Sequence, residues 1–268
     1  MKTTVIKIIF IISFALQTGF VNASIDDQQK NQFTYTVKGS ASEKTIVINN
    51  LLSEIYVEGT AGSEIKIVVS DYMGMPEKAK GLRPIGRAAE NTGIGLNFNP
   101  DGDFIYISAV HRAADDARYK IYVPKNIKLK IDNTSWTSGD TSIKGLANEI
   151  EIQSMVSRIF MEDVSGPIVA NTISSEIDIK FSSLNQKSPT SISSTTGDIE
   201  ITLPESVKGT FKMHSFHGGV YTDIDFDLGE EDGTRRLVGQ SVTGLLNGGG
   251  VEVTLKSPSG NIYIRKAK

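Results

Sequence analysis

The amino-acid sequence predicts an all-β protein built as a single-domain β-solenoid, or β-roll, in which short strands stack in successive coils. Three observations lead to this prediction. Apolar and polar residues alternate along most of the chain, a short pattern returns every nine residues, and no convincing amphipathic helix pattern is present. A β-sandwich is the alternative, because its strands also recur every ~8 to 12 residues.

Period-two alternation marks the strands, for example at Tyr119–Val123 and Ile199–Leu203. Successive residues of a strand face opposite sides of the sheet, so one set is buried and the other meets water. The inward set is mostly Ile and Val, which favour strands because they are β-branched. The pattern predicts burial of Ile177, Ile179, Ile199 and Ile201, with Asp178 and Glu200 exposed between them.

A nine-residue repeat runs through the middle of the chain. In exact or looser copies, a unit starts with Gly, Ser or Asn, continues with a usually polar residue, and ends with two apolar residues separated by one of any type. This length suits one strand of about five residues and a turn of about four. Two strands per coil would give about 18 residues and three about 27, and the spacing alone does not decide between them. Consecutive units begin at Gly139, Asn148, Ser157, Gly166 and Ser175.

The chain divides into three predicted parts. Residues 1–23 form a signal peptide, in which Lys2 and Lys7 accompany an apolar run and Ala23 precedes the cleavage point. Residues 24–32 are polar and are predicted to be a flexible leader, and residues 33–268 form the solenoid domain. The protein is therefore expected to be exported to the periplasm, the cell surface or the medium, without stable membrane insertion after cleavage.

Composition excludes several classes of function. Without the signal peptide the chain has 268 − 23 = 245 residues, with 26 basic and 31 acidic residues and a net charge of −5. A mildly acidic protein lacks the basic surface that nucleic acids require, so no nucleic-acid partner is expected. The absence of cysteine excludes a disulfide framework and a lipid-modified cysteine.

A Gly/Pro-rich insertion at residues 71–103 interrupts the alternation. It contains Lys78, Lys80, Arg83 and Arg87 in a chain that is otherwise acidic. One interpretation is a cap that covers the open edge of a sheet. The other is a recognition loop whose cations meet an acidic glycan or a partner carboxylate. The cap is favoured, because every solenoid has edges that must be protected.

Outward aromatic residues predict a second recognition surface. Tyr56, Phe160, Tyr221 and Tyr263 occupy the same middle position of their repeat units. If the coils are aligned, these rings share one face and can stack on a sugar or on a protein. Tyr221 and Tyr263, with the four cations of the insertion, are the candidate binding residues. The expected partner is a protein or a glycan of the cell envelope.

The sequence contains no motif that predicts a catalytic centre, a cofactor or a metal. None of its serines lies in Gly-x-Ser-x-Gly, and no cysteine can replace them. His214 and His217 are three residues apart, so on a strand they face opposite sides. The acidic stretch 223–232 has Leu228 where a calcium loop requires glycine, and cation binding there stays open.

A polysaccharide-active solenoid enzyme is the main alternative function. Such enzymes use carboxylate pairs, or a carboxylate-bound cation together with a base. Asp178, Glu200 and Glu252 occupy outward positions of the repeat, which are also the positions where a solvated strand places its charges. A non-catalytic protein is therefore predicted.

Two segments, Thr196–Ile201 and Pro258–Ile264, resemble a family of proposed adhesins, which are exported β-helical domains of unknown function. Residues 77–85, followed by residues 91–96, are similar to the first part of exported members from Bacteroidetes-type bacteria. The resemblance covers about residues 33–266. It implies an adhesin-like binding or scaffolding module without catalytic residues. A periplasmic accessory of envelope stress signalling is a third reading that the resemblance allows.

Overall fold

A computed structural model describes residues 31–268, apart from residues 75, 80, 83, 84, 86, 87 and 229–239. The predicted signal peptide, most of the predicted leader, and Lys80, Arg83 and Arg87 lie outside the described residues. Gln32, the last residue of the predicted leader, is the first residue of the first strand.

Twenty strands and three short 3₁₀ turns make up the regular structure of the described residues. The turns span Ala41–Glu43, Glu77–Ala79 and Arg112–Ala114. In the part of the chain that is described, no helix has the length and apolar character needed to span a membrane. The strands are β1 (Gln32–Thr36), β2 (Thr45–Asn49), β3 (Glu54–Thr60), β4 (Glu64–Ser70), β5 (Leu96–Asp101), β6 (Phe104–Ala109), β7 (Arg118–Pro124), β8 (Lys128–Asn133), β9 (Thr141–Lys144), β10 (Ile150–Ser154), β11 (Ile159–Val164), β12 (Ile168–Thr172), β13 (Ile177–Phe181), β14 (Thr190–Ser194), β15 (Ile199–Leu203), β16 (Gly209–Ser215), β17 (Val220–Thr222), β18 (Gln240–Leu246), β19 (Glu252–Lys256) and β20 (Ile262–Lys266).

The strands form two ten-stranded sheets. The front sheet has the order β1-β4-β7-β3-β9-β11-β13-β15-β20-β17, and the back sheet has the order β5-β6-β2-β8-β10-β12-β14-β19-β16-β18. Through most of the fold the chain alternates between the sheets, so one strand from each makes a coil. Ile150 pairs with Ile168, and Ile159 with Ile177, which sets 18 residues and two strands per coil. Because strands in the middle of both sheets are parallel, the fold is the predicted all-β solenoid and not a sandwich of antiparallel hairpins.

One apolar core fills the space between the two sheets. The side chains of Ile177, Ile179 and Ile199 are fully buried there, as predicted, and so is that of Ile201. The carboxylates between them are half-buried rather than exposed, so that part of the prediction was wrong. The physical reason is that large side chains stand beside them in register, Phe160 beside Asp178 and Tyr263 beside Glu200.

Buried hydroxyls and glycines shape the turns that lead from the back sheet to the front sheet. The Ser194 hydroxyl accepts a hydrogen bond from the Gly197 N–H and donates one to the Ser175 carbonyl of the neighbouring coil. Ser215 and Ser257 repeat this arrangement. A Cβ atom on Gly197 would lie 2.0 Å from the Ser175 carbonyl oxygen, so a glycine is needed where coils stack this closely.

Near each end, the order of the coils in space departs from their order in the sequence. The β2–β3 coil lies between β6–β7 and β8–β9, and the β19–β20 coil lies between β14–β15 and β16–β17. Ile199 consequently pairs with Ile262, which is 63 residues away along the chain. Antiparallel strands finish both ends, with β1, β4 and β5 at one end and β18 at the other.

The Gly/Pro-rich insertion contributes the terminal strand of the back sheet. Its strand β5 pairs with β6 and buries Leu96 and Phe98. The Asn91 side chain accepts a hydrogen bond from the Phe98 N–H and donates one to the Phe98 carbonyl. The Thr92 hydroxyl likewise accepts one from the Leu96 N–H and donates one to the Leu96 carbonyl. These side chains occupy backbone groups that β6 does not use, which supports the capping interpretation for this part of the insertion.

Candidate functional site

The outer face of the front sheet carries a line of side chains that crosses eight strands. The strands are in register, so each contributes one outward residue to the line. Neighbouring strands lie about 4.8 Å apart, which sets the spacing of successive members. We call this line the aromatic row. In spatial order it consists of Lys120, Tyr56, Ser142, Phe160, Asp178, Glu200, Tyr263 and Tyr221.

All four aromatic residues that share a repeat position lie in this row. Tyr263 and Tyr221 are on adjacent strands and are stacked, with ring centroids 5.5 Å apart and planes 19° apart. Tyr56 and Phe160 are two strands apart, with a serine between them. The row therefore contains one stacked pair of rings and one pair separated by a gap. A role of Tyr221 and Tyr263 in binding stays a prediction.

The gap between Tyr56 and Phe160 is an open groove with a cavity volume of about 260 Å³. Ser142 forms its floor, because the short serine side chain stands in line between two large rings. Two strand spacings separate the strands that carry the rings, about 9.6 Å. The groove therefore has room for one ring-shaped group between the two aromatic side chains.

Tyr56 is contacted from the side that faces away from the groove. The Lys120 Nζ atom lies 4.8 Å from the Tyr56 ring centroid and 5.6 Å from that of Tyr122. This cation–π contact occupies the side of Tyr56 towards β7 and leaves the side towards Ser142 open. Burial raises the pKa of Tyr56 above its ordinary value of 10.0, and the neighbouring Glu58 carboxylate, which accepts a hydrogen bond from the Tyr56 hydroxyl, adds to the shift.

Charged side chains line the groove in equal numbers. Lys144 and Glu162 form an ion pair, with 3.6 Å between the Nζ and Oε2 atoms. Lys180 stands opposite Glu162 on the next strand, and Asp178 lies in the same wall. Two cations and two anions therefore surround the groove, and their formal charges cancel. The groove has no net electrostatic attraction for either an anionic or a cationic ligand.

Asp178 is a half-buried carboxylate in one wall of the groove. Burial raises its pKa above the ordinary value of 3.8, and repulsion from Glu200 on the adjacent strand adds to the shift. Glu200 itself accepts a hydrogen bond from Arg265. The Oδ1 atom of Asp178 is buried and has no hydrogen-bond partner among the described residues. An unsatisfied buried acceptor is costly, and this uncompensated burial is in keeping with the raised pKa of the Asp178 carboxyl group.

The other residues singled out from the sequence are dispersed. Lys78 is exposed in the Glu77–Ala79 turn of the insertion, and its three companion cations lie outside the described residues. Glu252 lies on the back sheet, where it pairs with Lys212 at 2.6 Å. It is therefore on the opposite side of the protein from Asp178 and Glu200, which lie together.

Potential metal ligands do not cluster in the described part of the chain, where no group of three or more His, Asp or Glu side chains could hold an ion. His214 lies on β16, and His217 lies in the turn that follows it. In the acidic stretch, the Asp223 carboxylate accepts a hydrogen bond from the Lys266 backbone N–H at 2.8 Å. Residues 229–232 of that stretch lie outside the described residues.

Sequence reasoning named Phe160 and Asp178 for separate reasons, but it did not identify Ser142 and did not place the three residues in one groove. Ser142, Phe160 and Asp178 are successive residues at intervals of 18, which is the length of one coil. Once two strands per coil are assumed, this interval would place the three side chains in line. No comparable signal places Tyr56 beside Ser142, because β3 and β9 are separated in the sequence by five other strands.

These features define a two-sheet β-solenoid that presents an aromatic row on one outer face. Residues 124–265 match the family described as Toastrack DUF4097. The match spans more than half of the 268 residues, so the protein belongs to the Toastrack DUF4097 family, and the resemblance seen in the sequence is confirmed.

Two solved structures are similar to this chain. One is a proposed cell adhesion protein from Clostridium sporogenes, with 14% sequence identity and a TM-score of 0.43 over 88% of this chain and 99% of that one. The other is a proposed adhesin from Bacteroides fragilis, with 12% identity and a TM-score of 0.36 over 89% of this chain and 98% of that one. No curated protein matches the sequence.

Proposed function

We propose that the protein is an exported, non-catalytic module that binds an extended partner of the cell envelope along the aromatic row. The observation that carries this proposal is the alignment of four aromatic residues, from Tyr56 to Tyr221, on one outer face. Covering exposed apolar surface contributes about 25 cal/mol per Å². The rings stand on a continuous sheet, so little backbone order is lost when a partner binds.

The back sheet shows by contrast why the front sheet is the better recognition surface. Its central strands carry Lys130, Glu151, Val169, Ser191 and Thr254 in the corresponding outward line. Lys130 and Glu151 form an ion pair of 2.8 Å, and the others are small. This central part of the back sheet is suited to water, because its charges are paired and its apolar side chains are few. The exposed rings of Phe104 and Tyr106 lie towards one end of the sheet, on β6.

Cosedimentation with cell envelopes of the producing bacterium tests the proposal. The Phe160→Glu variant introduces a charge into the groove, and Val169→Glu introduces the same charge into the back sheet. Both native side chains are 38% exposed, so the two variants are matched in burial. We expect Phe160→Glu to weaken envelope binding at least tenfold and Val169→Glu to leave it unchanged. Equal binding by the two variants would contradict a recognition surface on the front sheet.

An exported location is part of this proposal. It is supported by the positively charged amino end and the apolar run that ends before Ala23. Fractionation of cells that express the full sequence tests it, with deletion of residues 2–23 as the control. Equal amounts outside the cytoplasm with and without these residues would contradict export by this segment.

A polysaccharide-cleaving enzyme is a second candidate, and one observation favours it. Asp178 and Glu200 are opposite each other on adjacent strands, and the pKa of Asp178 is raised. A carboxylic acid of raised pKa beside a second carboxylate is the arrangement that glycoside hydrolases use. Release of new reducing ends from a polysaccharide by the native protein, lost in Asp178→Asn, would establish this activity in place of simple binding.

A further inference from the structure

We infer that the ligand of the groove is an uncharged linear glycan, with one sugar ring between Tyr56 and Phe160 and the chain running along the aromatic row. This inference rests on the proposed function, because it takes the front sheet as the recognition surface. It adds the chemical class of the ligand and the direction in which the ligand lies.

The shape of the groove favours a sugar ring. A pyranose has C–H groups on its two faces and hydroxyl groups around its rim. The C–H faces can pack against the rings of Tyr56 and Phe160, which supply large rigid apolar surfaces. The short side chain of Ser142 lets the sugar reach the floor of the groove, where the serine hydroxyl can exchange hydrogen bonds with it.

The polar groups of the groove match a hydroxyl-bearing ligand. The Asp178 carboxylate lines the groove and can accept a hydrogen bond from a sugar hydroxyl. Glu200 follows in the row and can accept further hydroxyl donors. A hydrogen bond to an ionised acceptor stabilises a complex by about 1.5 to 3 kcal/mol, more than one between neutral groups.

The charge balance of the groove excludes a strong preference for a charged sugar. The two lysines and two carboxylates that line it cancel, and Lys144 is already paired with Glu162. A charged sugar, whether a uronic acid or an amino sugar, would meet groups of both signs in the groove, so repulsion from the like charges would offset attraction to the opposite ones. An uncharged sugar meets no such repulsion, and it does not require the Lys144–Glu162 ion pair to separate.

The direction of the ligand follows from the row. From Tyr56 to Tyr221 the row crosses six strand spacings, about 29 Å, which is long enough for several linked sugar units. The stacked pair of Tyr263 and Tyr221 provides a second aromatic platform at the far end. A peptide strand would gain its affinity from backbone hydrogen bonds at a sheet edge. The strands that carry the row pair on both sides except β17, so the face of the sheet offers a peptide no such bonds along the row.

Isothermal titration calorimetry of the purified protein tests this inference. The uncharged probes are cellohexaose, chitohexaose and maltohexaose, and the charged probes are a hexagalacturonate and a chitosan hexamer. We expect at least one uncharged hexasaccharide to bind more tightly than both charged ones. Phe160→Ala, which removes a ring, and Ser142→Leu, which fills the floor, should each weaken this binding at least tenfold. Val169→Ala on the back sheet is the matched control and should have no effect.

Each contrary result has a separate meaning. No binding of the uncharged probes, or tighter binding of a charged probe, overturns the ligand class. Uncharged binding that neither Phe160→Ala nor Ser142→Leu affects, although both variants fold as judged by circular dichroism, overturns the placement. If envelope binding still depends on Phe160 in either case, the proposed function stands and the partner is of another class, such as a protein. If envelope binding does not depend on Phe160, the proposed function fails, whatever the sugar-binding results are.

Discussion

The turn at Gly197 allows a quantitative test of how closely the coils are stacked. In a Gly197→Ala variant the new Cβ atom would lie 2.0 Å from the Ser175 carbonyl oxygen, although real Cβ atoms essentially never come closer than 3.0 Å to such an atom. The turn must therefore move by at least about 1 Å. That shift would break the bonds from the Thr196 N–H to the Ile173 carbonyl, 3.0 Å, and from the Ser257 hydroxyl to the Gly197 carbonyl, 2.7 Å.

The expected loss follows from these contacts. Two hydrogen bonds contribute about 1 kcal/mol each, and overpacking costs about 1 to 3 kcal/mol. We expect Gly197→Ala to lower the free energy of unfolding by about 3 to 5 kcal/mol. Urea titration followed by far-ultraviolet circular dichroism measures it. In the control variant Gly62→Ala the nearest atom is 3.9 Å from the new Cβ, so a change below about 1 kcal/mol is expected. A loss at Gly197 no larger than at Gly62 would refute the reasoning.

Four further predictions follow from the same structure. Ile199→Asp places a charge in a fully buried position and should prevent folding, whereas Glu200→Ala should change the free energy of unfolding by less than about 1 kcal/mol; similar effects would mean that the strand register is wrong. Asp178→Asn should stabilise the protein at neutral pH, because a pKa raised above 3.8 makes the native protein lose stability as pH rises through that range. Melting temperatures of both proteins from acidic to neutral pH measure this. If the stability advantage of the variant became smaller as the pH rose, the predicted pH dependence would have the wrong sign. Asn91→Ala removes the side chain that covers the edge of β5 and should increase aggregation, which light scattering measures. Unchanged scattering would contradict the capping role of this part of the insertion. Amino-terminal sequencing of the exported protein should begin at Ser24, and a product that keeps residue 1 would contradict the signal peptide.

The regular part of the fold was predictable because its signals are local. Alternation identifies strands such as Ile199–Leu203 from the sequence within the strand itself, and the nine-residue interval identifies the turns. The choice between two and three strands per coil was not predictable, since both give the same alternation. The displaced coils were also not predictable, because pairing of β14 with β19 joins residues such as Thr190 and Val253, which no local pattern connects.

The candidate site was predictable only in its most conspicuous residues. Large outward rings such as Phe160 stand out in a sequence, and their shared repeat position placed them on one face. The groove depends instead on a small residue, Ser142, whose importance comes from its neighbours. Asp178 was expected to be exposed, and its half-buried state depends on the rings and carboxylates that other strands place around it. These are properties of the assembled sheet, so single positions do not reveal them.

The displaced coil near the carboxyl end also sets an order of events during synthesis. A chain made from its amino end produces β14, β15 and β16 before β19 exists. During that interval the edge of β14 is open, and β16 can pair with it in the position that β19 later occupies. Such a mispaired intermediate must open again before folding can finish, and contacts between distant residues form slowly in any case. The native fold is therefore completed only after residues 252–266, which form β19 and β20, have been made.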